Sequence, residues 1–296
     1  MQHIPVLLKE VIQFGNPKPG ETLVDVTVGG GGYAKEMISA LHRSGVFLGI
    51  DWDEAAIVRA TKNFAEMQSN ELKIYLIEEN FAELPRAMQK LGLTHADLIV
   101  ADLGFSSLQL ETSGRGFSFN RDEPLLMTYS DKELPVREIL KTIREKELEA
   151  ILGDMSQERY AKRIAHAIIE RERKDPITTS HELAEVVKSA VPENYESHRI
   201  HPATRTFLAL RMYANHELEN LERFLKQLPN ILRKNGRAVM VSFQSQEDAL
   251  VKKYFLQYKR DGNAKILTKK PIEATFEEIS ENPRSRSAKL RAVQFI

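Results

Sequence analysis

Cysteine is absent from the 296-residue chain, which excludes a disulfide framework and a metal site built from thiolates. A net charge is absent too, because 42 lysine and arginine residues balance 42 aspartate and glutamate residues. This balance argues against indiscriminate binding of nucleic acid by the whole surface, although segregated charges still permit local basic patches.

Long apolar stretches are also missing. No run approaches the ~18 uncharged apolar residues of a membrane span. The N-terminus lacks the basic stretch and apolar run of a signal peptide. The sequence therefore predicts a cytoplasmic protein with no membrane partner. Its hydrophobic content of 42% is typical of globular proteins, and its length suits one large α/β domain or a domain carrying an insertion.

The first third of the chain alternates short apolar runs with helical patterns. The apolar runs predict buried strands, at residues 21–28, 45–50, 72–77 and 96–101. Helical patterns lie between them, and Asp53 is a candidate N-cap for the second helix. Strands that alternate with helices in this way predict a doubly wound parallel sheet.

This alternation stops after the fourth predicted strand. Residues 107–204 contain no convincing buried strand and read as helices at residues 131–152, 156–173 and 179–190. Strands return at residues 237–243, and residues 265–268 and 291–296 are candidates for closing antiparallel strands. The predicted organisation is one sheet domain, residues 1–106 and 205–296, with an inserted helical domain, residues 107–204, that recognises the substrate.

Four consecutive glycines, residues 29–32, follow the first predicted strand. Glycine allows a sharp turn and the close approach of a ligand to the backbone. The run does not match the G-x-G-x-x-G pattern of dinucleotide-binding proteins, so it suits a cofactor without phosphates, with room for a methionyl tail. The alternative is a tight turn between strand and helix without a ligand.

Polar or aromatic residues follow the next three predicted strands. Asp51 is placed to accept hydrogen bonds from two ribose hydroxyls, or alternatively to cap the next helix. Phe81 is placed to contact an adenine, or alternatively to join the core. Asp102 ends the fourth strand. Because ligands of open α/β folds bind at the carboxyl ends of the strands, these residues together predict one site for S-adenosylmethionine.

Several ordered segments across nearly the whole chain resemble the RsmH (MraW) family of 16S ribosomal RNA cytosine-N4 methyltransferases. The matching segments are HIPVLLKEV at residues 3–11, DLGFSSLQL at 102–110, RGFSF at 115–119, RYAKRIA at 159–165, HPATRTF at 201–207 and NPRSRSAKLR at 282–291. The resemblance implies a class I S-adenosylmethionine-dependent methyltransferase fold with a helical insertion. It also implies the cofactor-binding positions, which are Gly31, Gly32, Tyr33, Asp51, Phe81, Asp102 and Gln109.

The chain departs from the family pattern at a few positions. Tyr33 stands where the family usually has histidine. The family's Asp-Met-Arg-Met-Asp appears here as residues 126–130, LMTYS, and its Ser-Phe-His-Ser-Leu-Glu-Asp-Arg appears as residues 242–249, SFQSQEDA. The cofactor positions are mostly kept, and the departures concentrate on the substrate side.

Transfer to a cytosine amine needs an in-line methyl donor and acceptors for the amine hydrogens. We hypothesise that Asp102, or a backbone carbonyl of the turn after it, accepts from the amine. Ser106 and Ser107 are further candidates, with turn capping as the alternative, and Phe105 is a candidate for stacking on the base.

A base can reach the site only when it is unpaired or flipped out of a helix. Basic residues are dense in the insertion and near the C-terminus, and the insertion is the natural platform for binding the RNA. The predicted substrate-binding residues, besides Phe105, are Arg115, Arg163, His201, Arg205, Arg284 and Arg286. For each basic run the alternative is an ordinary solvated surface, and for His201 and Arg205 it is hydrogen bonding between domains. No histidine spacing indicates a metal site.

The predicted partner is 16S ribosomal RNA or the small ribosomal subunit, and a homodimer is compatible with the sequence but not required by it. Two alternatives stay open. One is a methyltransferase of the same fold with a different RNA acceptor. The other is a non-catalytic protein that binds RNA or the ribosome.

Overall fold

The computed structural model describes residues 5–104, 114–198 and 200–296. The chain forms two compact units. The first unit comprises Met1–Gly104 and Leu218–Ile296, and the second comprises Phe105–Glu217. In the described ranges, we find no helix with the length and apolar character that crossing a membrane requires.

The first unit is built on a central sheet whose strands alternate with helices. The strands are β1 (Thr22–Asp25), β2 (Gly45–Asp51), β3 (Leu72–Glu78), β4 (Ala96–Asp102), β5 (Leu232–Ser242), β6 (Ala264–Ile266), β7 (Ile272–Glu273) and β8 (Lys289–Phe295). Their order is β3-β2-β1-β4-β5-β8-β6, and β7 pairs with β8. Strands β1 to β5 pair in parallel, whereas β8 runs antiparallel to β5, β6 and β7. The predicted doubly wound sheet with closing antiparallel strands is therefore confirmed.

Helices cover both faces of this sheet because its central strands are largely apolar. Every residue of β4 except Asp102 is buried. The helices on one face are α1 (Leu8–Gly15), α2 (Gly32–Ala40) and α3 (Glu54–Phe64); those on the other are α4 (Leu84–Lys90), α10 (Glu217–Ile231) and α11 (Ser245–Arg260). Burial on both faces explains why the parallel strands read as continuous apolar runs.

Parallel pairing brings the ends of successive strands to one edge of the sheet. Asp51 of β2 lies opposite Glu78 of β3, and Asp25 of β1 lies opposite Gly49 of β2. Asp102 of β4 lies opposite Val241 of β5. Residues far apart in sequence therefore meet at this carboxyl edge, which is where open α/β sheets bind ligands.

The second unit is helical and has a core of its own. Its helices are α5 (Val136–Thr142), α6 (Glu145–Ser156), α7 (Ala161–Lys174), α8 (Ser180–Ala190) and α9 (Thr204–Ala214). The single helix predicted at residues 131–152 is wrong: Pro135 begins α5, and extended backbone at Ile143 and Arg144 separates it from α6. Thr179 is the N-cap of α8, in a reciprocal capping box with Glu182.

The second unit extends further along the chain than the predicted boundary at residue 204. Helix α9 packs against α6, and Phe207 and Leu210 of α9 belong to the helical core. The buried Asn215 side chain accepts from Tyr129 N at 2.8 Å and donates to Met127 O at 2.7 Å. Because these contacts tie residues 204–217 to the helical core, the chain leaves the second unit only after Glu217.

Candidate functional site

The glycine loop between β1 and α2 has no room for side chains at two positions. Gly31 has φ +85° and is the N-cap of α2, and a Cβ there would lie 2.5 Å from Phe64 Cζ. A Cβ on Gly32 would overlap the ring of Pro5. Positive φ at Gly31 and close packing at both positions thus require glycine at residues 31 and 32.

Asp51 holds this loop from the end of β2. Its Oδ2 accepts from Gly29 N at 2.8 Å, and its Oδ1 accepts from Asp53 N at 2.9 Å. Asp53, not Asp51, is the N-cap of α3 and accepts from Ala55 N at 2.9 Å, which confirms the predicted cap. Burial raises the pKa of Asp51 to about 6, because its effect is larger than that of the two backbone hydrogen bonds, which lower the pKa.

Asp25 and Asp102 are linked through one hydroxyl at the carboxyl edge. Thr27 Oγ1 accepts from Asp102 N at 2.7 Å and donates to Asp25 Oδ1 at 3.4 Å. Thr27 N donates to the same Asp25 oxygen at 3.0 Å. The other oxygens, Asp25 Oδ2 and Asp102 Oδ1, are buried and have no hydrogen-bond partner in the described part of the chain.

These two carboxyls are difficult to ionise in the ligand-free protein. Burial raises the pKa of Asp25 to about 7, and the nearby Asp51 charge adds to the effect. Burial also raises the pKa of Asp102 well above its usual range, and the charges of Asp25 and Glu247 raise it further. Glu247, itself buried, accepts from the backbone N–H groups of Phe243 and Gln244, each at 3.1 Å, at the start of α11.

Tyr33 fixes the N-terminal segment over the glycine loop. Its buried hydroxyl donates to the carbonyl of Val6, and the phenol lies beside Asp102. The next residue, Leu7, donates its N–H to Glu278 Oε1 at 2.7 Å. Burial, followed by the charges of Asp102, Asp25 and Glu278, raises the pKa of Tyr33, so the hydroxyl keeps its proton and remains a donor.

Phe81 lies just beyond β3, in a short 3₁₀ helix that Asn80 caps through Ala82 N at 2.9 Å. Its ring stands edge-on to Phe224 with centroids 5.5 Å apart, and it packs partly against the core of that face. The ring is half-buried, so it serves the core and still presents surface at the carboxyl edge.

The structure describes only part of the predicted site. Phe105, Ser106, Ser107 and Gln109 lie outside the described residues. The predicted cofactor positions that the structure describes lie at the carboxyl edge, or in the loop or the first helical turn that follows one of its strands; they are Gly31, Gly32, Tyr33, Asp51, Phe81 and Asp102.

The predicted substrate-binding residues of the second unit differ in their surroundings. Arg115 is bound internally, to Thr128 O at 2.6 Å, Thr128 Oγ1 at 2.7 Å and Asp131 Oδ1 at 2.7 Å. Arg205 donates to Glu196 Oε1 at 3.0 Å and Ser156 O at 3.3 Å. These bonds support a structural contribution from both arginines within the second unit.

Arg163 and His201 each contact an aromatic ring. Arg163 is exposed and lies over the Tyr160 ring, 5.6 Å from its centroid. The His201 ring stacks on the half-buried Phe119 with centroids 4.3 Å apart. Burial lowers the pKa of His201, and the Lys188 charge adds to the effect, so the ring is mainly neutral at neutral pH.

The basic segment near the C-terminus has fewer exposed charges than its sequence suggests; in sequence it contains Arg284, Arg286, Lys289 and Arg291. Arg291 is buried in β8 and forms a bidentate pair with Asp248, at 2.6 and 2.9 Å, and Lys289 lies 3.9 Å from the same carboxylate. Asp248 thus pairs with Arg291 through two hydrogen bonds and with Lys289 at longer range. Arg284 and Arg286, in the 3₁₀ segment Pro283–Ser287, are exposed.

Sequence reasoning missed three residues of this edge: Asp25, Thr27 and Glu247. Asp25 and Thr27 lie beside the glycine run, and their position at the end of a buried strand was a usable signal. Glu247 had no comparable signal, because only the pairing of β5 with β4 brings the start of α11 close to Asp102.

A family model described as the MraW methylase family matches residues 1–296. The chain belongs to the MraW methylase family. It is 40% identical to the ribosomal RNA small subunit methyltransferase H of Syntrophobacter fumaroxidans, over 99% of this chain and 96% of that protein. The protein of the same name from Geotalea daltonii is 40% identical, over 100% and 99% of the two chains, and that of Clostridioides difficile is 37% identical, over 99% of each.

The carboxyl edge of this methylase-family chain fits S-adenosylmethionine. That cofactor carries positive charge on its sulfonium and amino groups, and this edge offers buried carboxyls with unpartnered oxygens at Asp25 and Asp102. Gly30, where a Cβ would meet nothing within 4 Å, leaves the backbone of the loop open, and Asp51 stands at the next strand end, where a ribose would bind in an open α/β sheet. The first unit thus has a class I S-adenosylmethionine-dependent methyltransferase fold whose residues suit its cofactor.

Proposed function

We propose that the protein transfers a methyl group from S-adenosylmethionine to the N4 amine of a cytidine in 16S ribosomal RNA. The family and the names of its relatives support the RNA class. The observation that carries the chemistry is the buried Oδ1 of Asp102, an acceptor without a partner in the described residues, at the end of β4 beside the cofactor loop.

The cytosine amine is a weak nucleophile because its lone pair is delocalised into the ring. The bound cofactor supplies an electrophilic methyl group. Transfer to nitrogen would break the carbon–sulfur bond of the cofactor and leave S-adenosylhomocysteine as a neutral sulfide, and the amine would give up one proton. The protein therefore has to align the amine with the methyl group and accept an amine hydrogen.

Asp102 suits this role because of the charges around it. With a positive cofactor beside it, the ionised carboxylate is favoured and accepts from the amine. After transfer, the sulfide is neutral, and burial with the Asp25 and Glu247 charges raises the pKa of Asp102 again, which holds the released proton. Thr27 fixes the backbone of Asp102 and links it to Asp25.

We further propose that the second unit recognises the RNA, as an inserted substrate-recognition domain. Its described candidates are the exposed Arg163 and the stacked pair His201 and Phe119. A neutral, half-buried imidazole on an aromatic ring suits stacking with a base better than pairing with a phosphate. The target cytidine has to be unpaired or flipped to reach a site at the end of β4.

The test is transfer of labelled methyl from S-adenosylmethionine to small ribosomal subunits that lack base methylation, followed by nucleoside analysis. We expect labelled N4-methylcytidine. Asp102→Ala should reduce kcat by about a hundredfold or more, because the amine acceptor is lost. Naked 16S RNA in place of the subunit tests whether the assembled particle is the partner, and sedimentation of the full chain tests the homodimer.

The two alternatives give different results in this assay. A labelled nucleoside other than N4-methylcytidine would support a different RNA acceptor, for which the altered residues 126–130 are the first place to look. Cofactor binding by calorimetry, with no transfer to any RNA, would support a non-catalytic RNA-binding role. Full turnover by Asp102→Ala would remove Asp102 as the acceptor.

A further inference from the structure

One aromatic ring near the carboxyl edge is almost entirely in water. Phe276, the first residue of α12 (Phe276–Glu281), is 82% exposed. The other large hydrophobic side chains that are exposed in the described residues are aliphatic and less exposed: Val58, Leu134, Ile200, Leu256 and Ile296. Phenylalanine normally buries its ring, so a ring held in water is a candidate contact for a ligand.

The sheet register places Phe276 close to the methyl-transfer site. Asp102 pairs with Val241 in β5, and the next residue, Ser242, pairs with Lys289 in β8. Lys289 in turn pairs with Glu273, the last residue of β7. Phe276 follows three residues later, so the ring stands at the edge of the sheet where the strands that carry Asp102 and its neighbours end.

The helix that carries this ring is tied to the cofactor loop. Thr275 caps α12 by accepting from Glu278 N at 3.3 Å. Glu278 Oε1 accepts from Leu7 N at 2.7 Å, and the carbonyl of the preceding Val6 accepts from Tyr33. Phe276 therefore has a fixed position relative to α2, and little ordering of the backbone is needed when a ligand binds.

Exposed cations lie on both sides of the ring in sequence. Lys269 and Lys270 precede β7, and Arg284 and Arg286 follow α12. Four acidic residues lie between these cations: Glu278 is bonded to Leu7 N, the Glu277 carboxylate turns back towards Thr275, and Glu273 and Glu281 are exposed. A chain of phosphates is attracted to the two flanking basic segments, which leaves the ring between them for a base.

We propose that Phe276 stacks on an unpaired nucleobase of the RNA strand next to the target nucleotide. The RNA class rests on the proposed function; the stacking contact goes beyond it. Proteins that bind single strands combine basic residues on the phosphates with aromatic rings under the bases, and a phenylalanine ring accepts any base. Phe276 thus holds the strand outside the transfer site while the cytidine enters it.

The test compares variants in binding a single-stranded oligoribonucleotide of about ten nucleotides. Phe276→Leu keeps an apolar side chain of similar exposure but removes the ring, and Phe276→Trp enlarges the ring. We expect Phe276→Leu to weaken binding about tenfold and Phe276→Trp to bind at least as tightly as the wild type. An oligomer of abasic ribose phosphates, which keeps the charge, should bind equally to all three proteins.

The methyl-transfer assay adds a second readout. Phe276→Leu should raise KM for the RNA by the same factor and leave kcat and the Kd for S-adenosylmethionine unchanged, because the ring touches neither the cofactor nor the reacting atoms. Equal oligonucleotide binding by wild type and Phe276→Leu would overturn the proposal, as would no binding by the wild type. Wild-type binding without methyl transfer would instead refute the proposed function and leave the stacking contact in place.

Discussion

Replacing Asp25 by asparagine should stabilise the ligand-free protein and weaken its binding of the cofactor. Asp25 is 1% exposed, its Oδ2 has no hydrogen-bond partner in the described residues, and burial raises its pKa from 3.8 to about 7. An amide at this position keeps an oxygen that accepts from Thr27 N, and it carries no charge at any pH. The variant therefore removes a buried charge without creating a cavity.

The size of the stability difference follows from the pKa values of Asp25 in the unfolded and folded protein. An acid with a raised pKa in the folded state binds more protons there than in the unfolded state, so the stability of the protein falls as pH rises. The loss begins near pH 3.8 and is complete above about pH 7. The difference corresponds to at most about 4 kcal/mol, because one pKa unit is about 1.4 kcal/mol.

Urea unfolding of the cofactor-free protein at several pH values measures this effect. We expect Asp25→Asn to exceed the wild type by about 2 to 4 kcal/mol in unfolding free energy at pH 8, and by little at pH 4. S-adenosylmethionine should bind the variant about tenfold more weakly in calorimetry, because an anionic partner of the cationic cofactor is lost. Asp261→Asn, which neutralises an exposed carboxylate, is the matched control and should change neither quantity.

A parallel loss of stability in the two proteins would contradict the raised pKa of Asp25. If Asp25→Asn and the wild type lose stability in parallel between pH 4 and pH 8, the Asp25 carboxyl is not the group that resists ionisation. Titration of Asp51 and Asp102 occurs in both proteins, so only the difference between the two curves bears on Asp25.

Further substitutions test other parts of the molecule. Gly31→Ala should lower the free energy of unfolding by about 2 kcal/mol in urea, since it adds strain at positive φ and a side-chain clash. Asp51→Ala should raise the Kd for S-adenosylmethionine about a hundredfold in calorimetry, because the ribose and two backbone N–H groups lose their acceptor; an unchanged Kd would exclude the ribose contact. Arg291→Met should cost about 3 kcal/mol in urea, since the buried Asp248 loses its bidentate partner and keeps only the more distant Lys289. Arg286→Glu should leave stability unchanged and flatten the salt dependence of RNA binding, and an equal slope would contradict a phosphate contact.

The sequence by itself determined the sheet domain and the positions of much of the proposed cofactor site. Buried parallel strands have short apolar sequences, which makes them recognisable. Because the strands run in parallel with right-handed connections, the residues that follow them lie at one edge of the sheet. The glycine loop, Asp51 and Asp102 could therefore be located from the pattern of strands and helices alone, and Asp53 could be assigned as a cap from its position at the start of a helix.

Local patterns were insufficient where a position depends on packing between distant segments. The helix predicted at residues 131–152 breaks at Ile143 and Arg144, and helix α9 belongs to the second unit because Phe207 packs in the helical core. Periodicity records which face of a helix is apolar, but it does not record which core that face joins.

The burial and the partners of the charged side chains were decided only by the tertiary structure. In sequence, Arg286 and Arg291 belong to one basic tail, yet Arg286 is exposed and Arg291 is buried against Asp248. In the same way, Asp25 reads as an ordinary aspartate, and its raised pKa arises from burial between neighbouring strands. The free energy of a charge depends on the solvent and partners around it, and those are fixed only when remote parts of the chain come together.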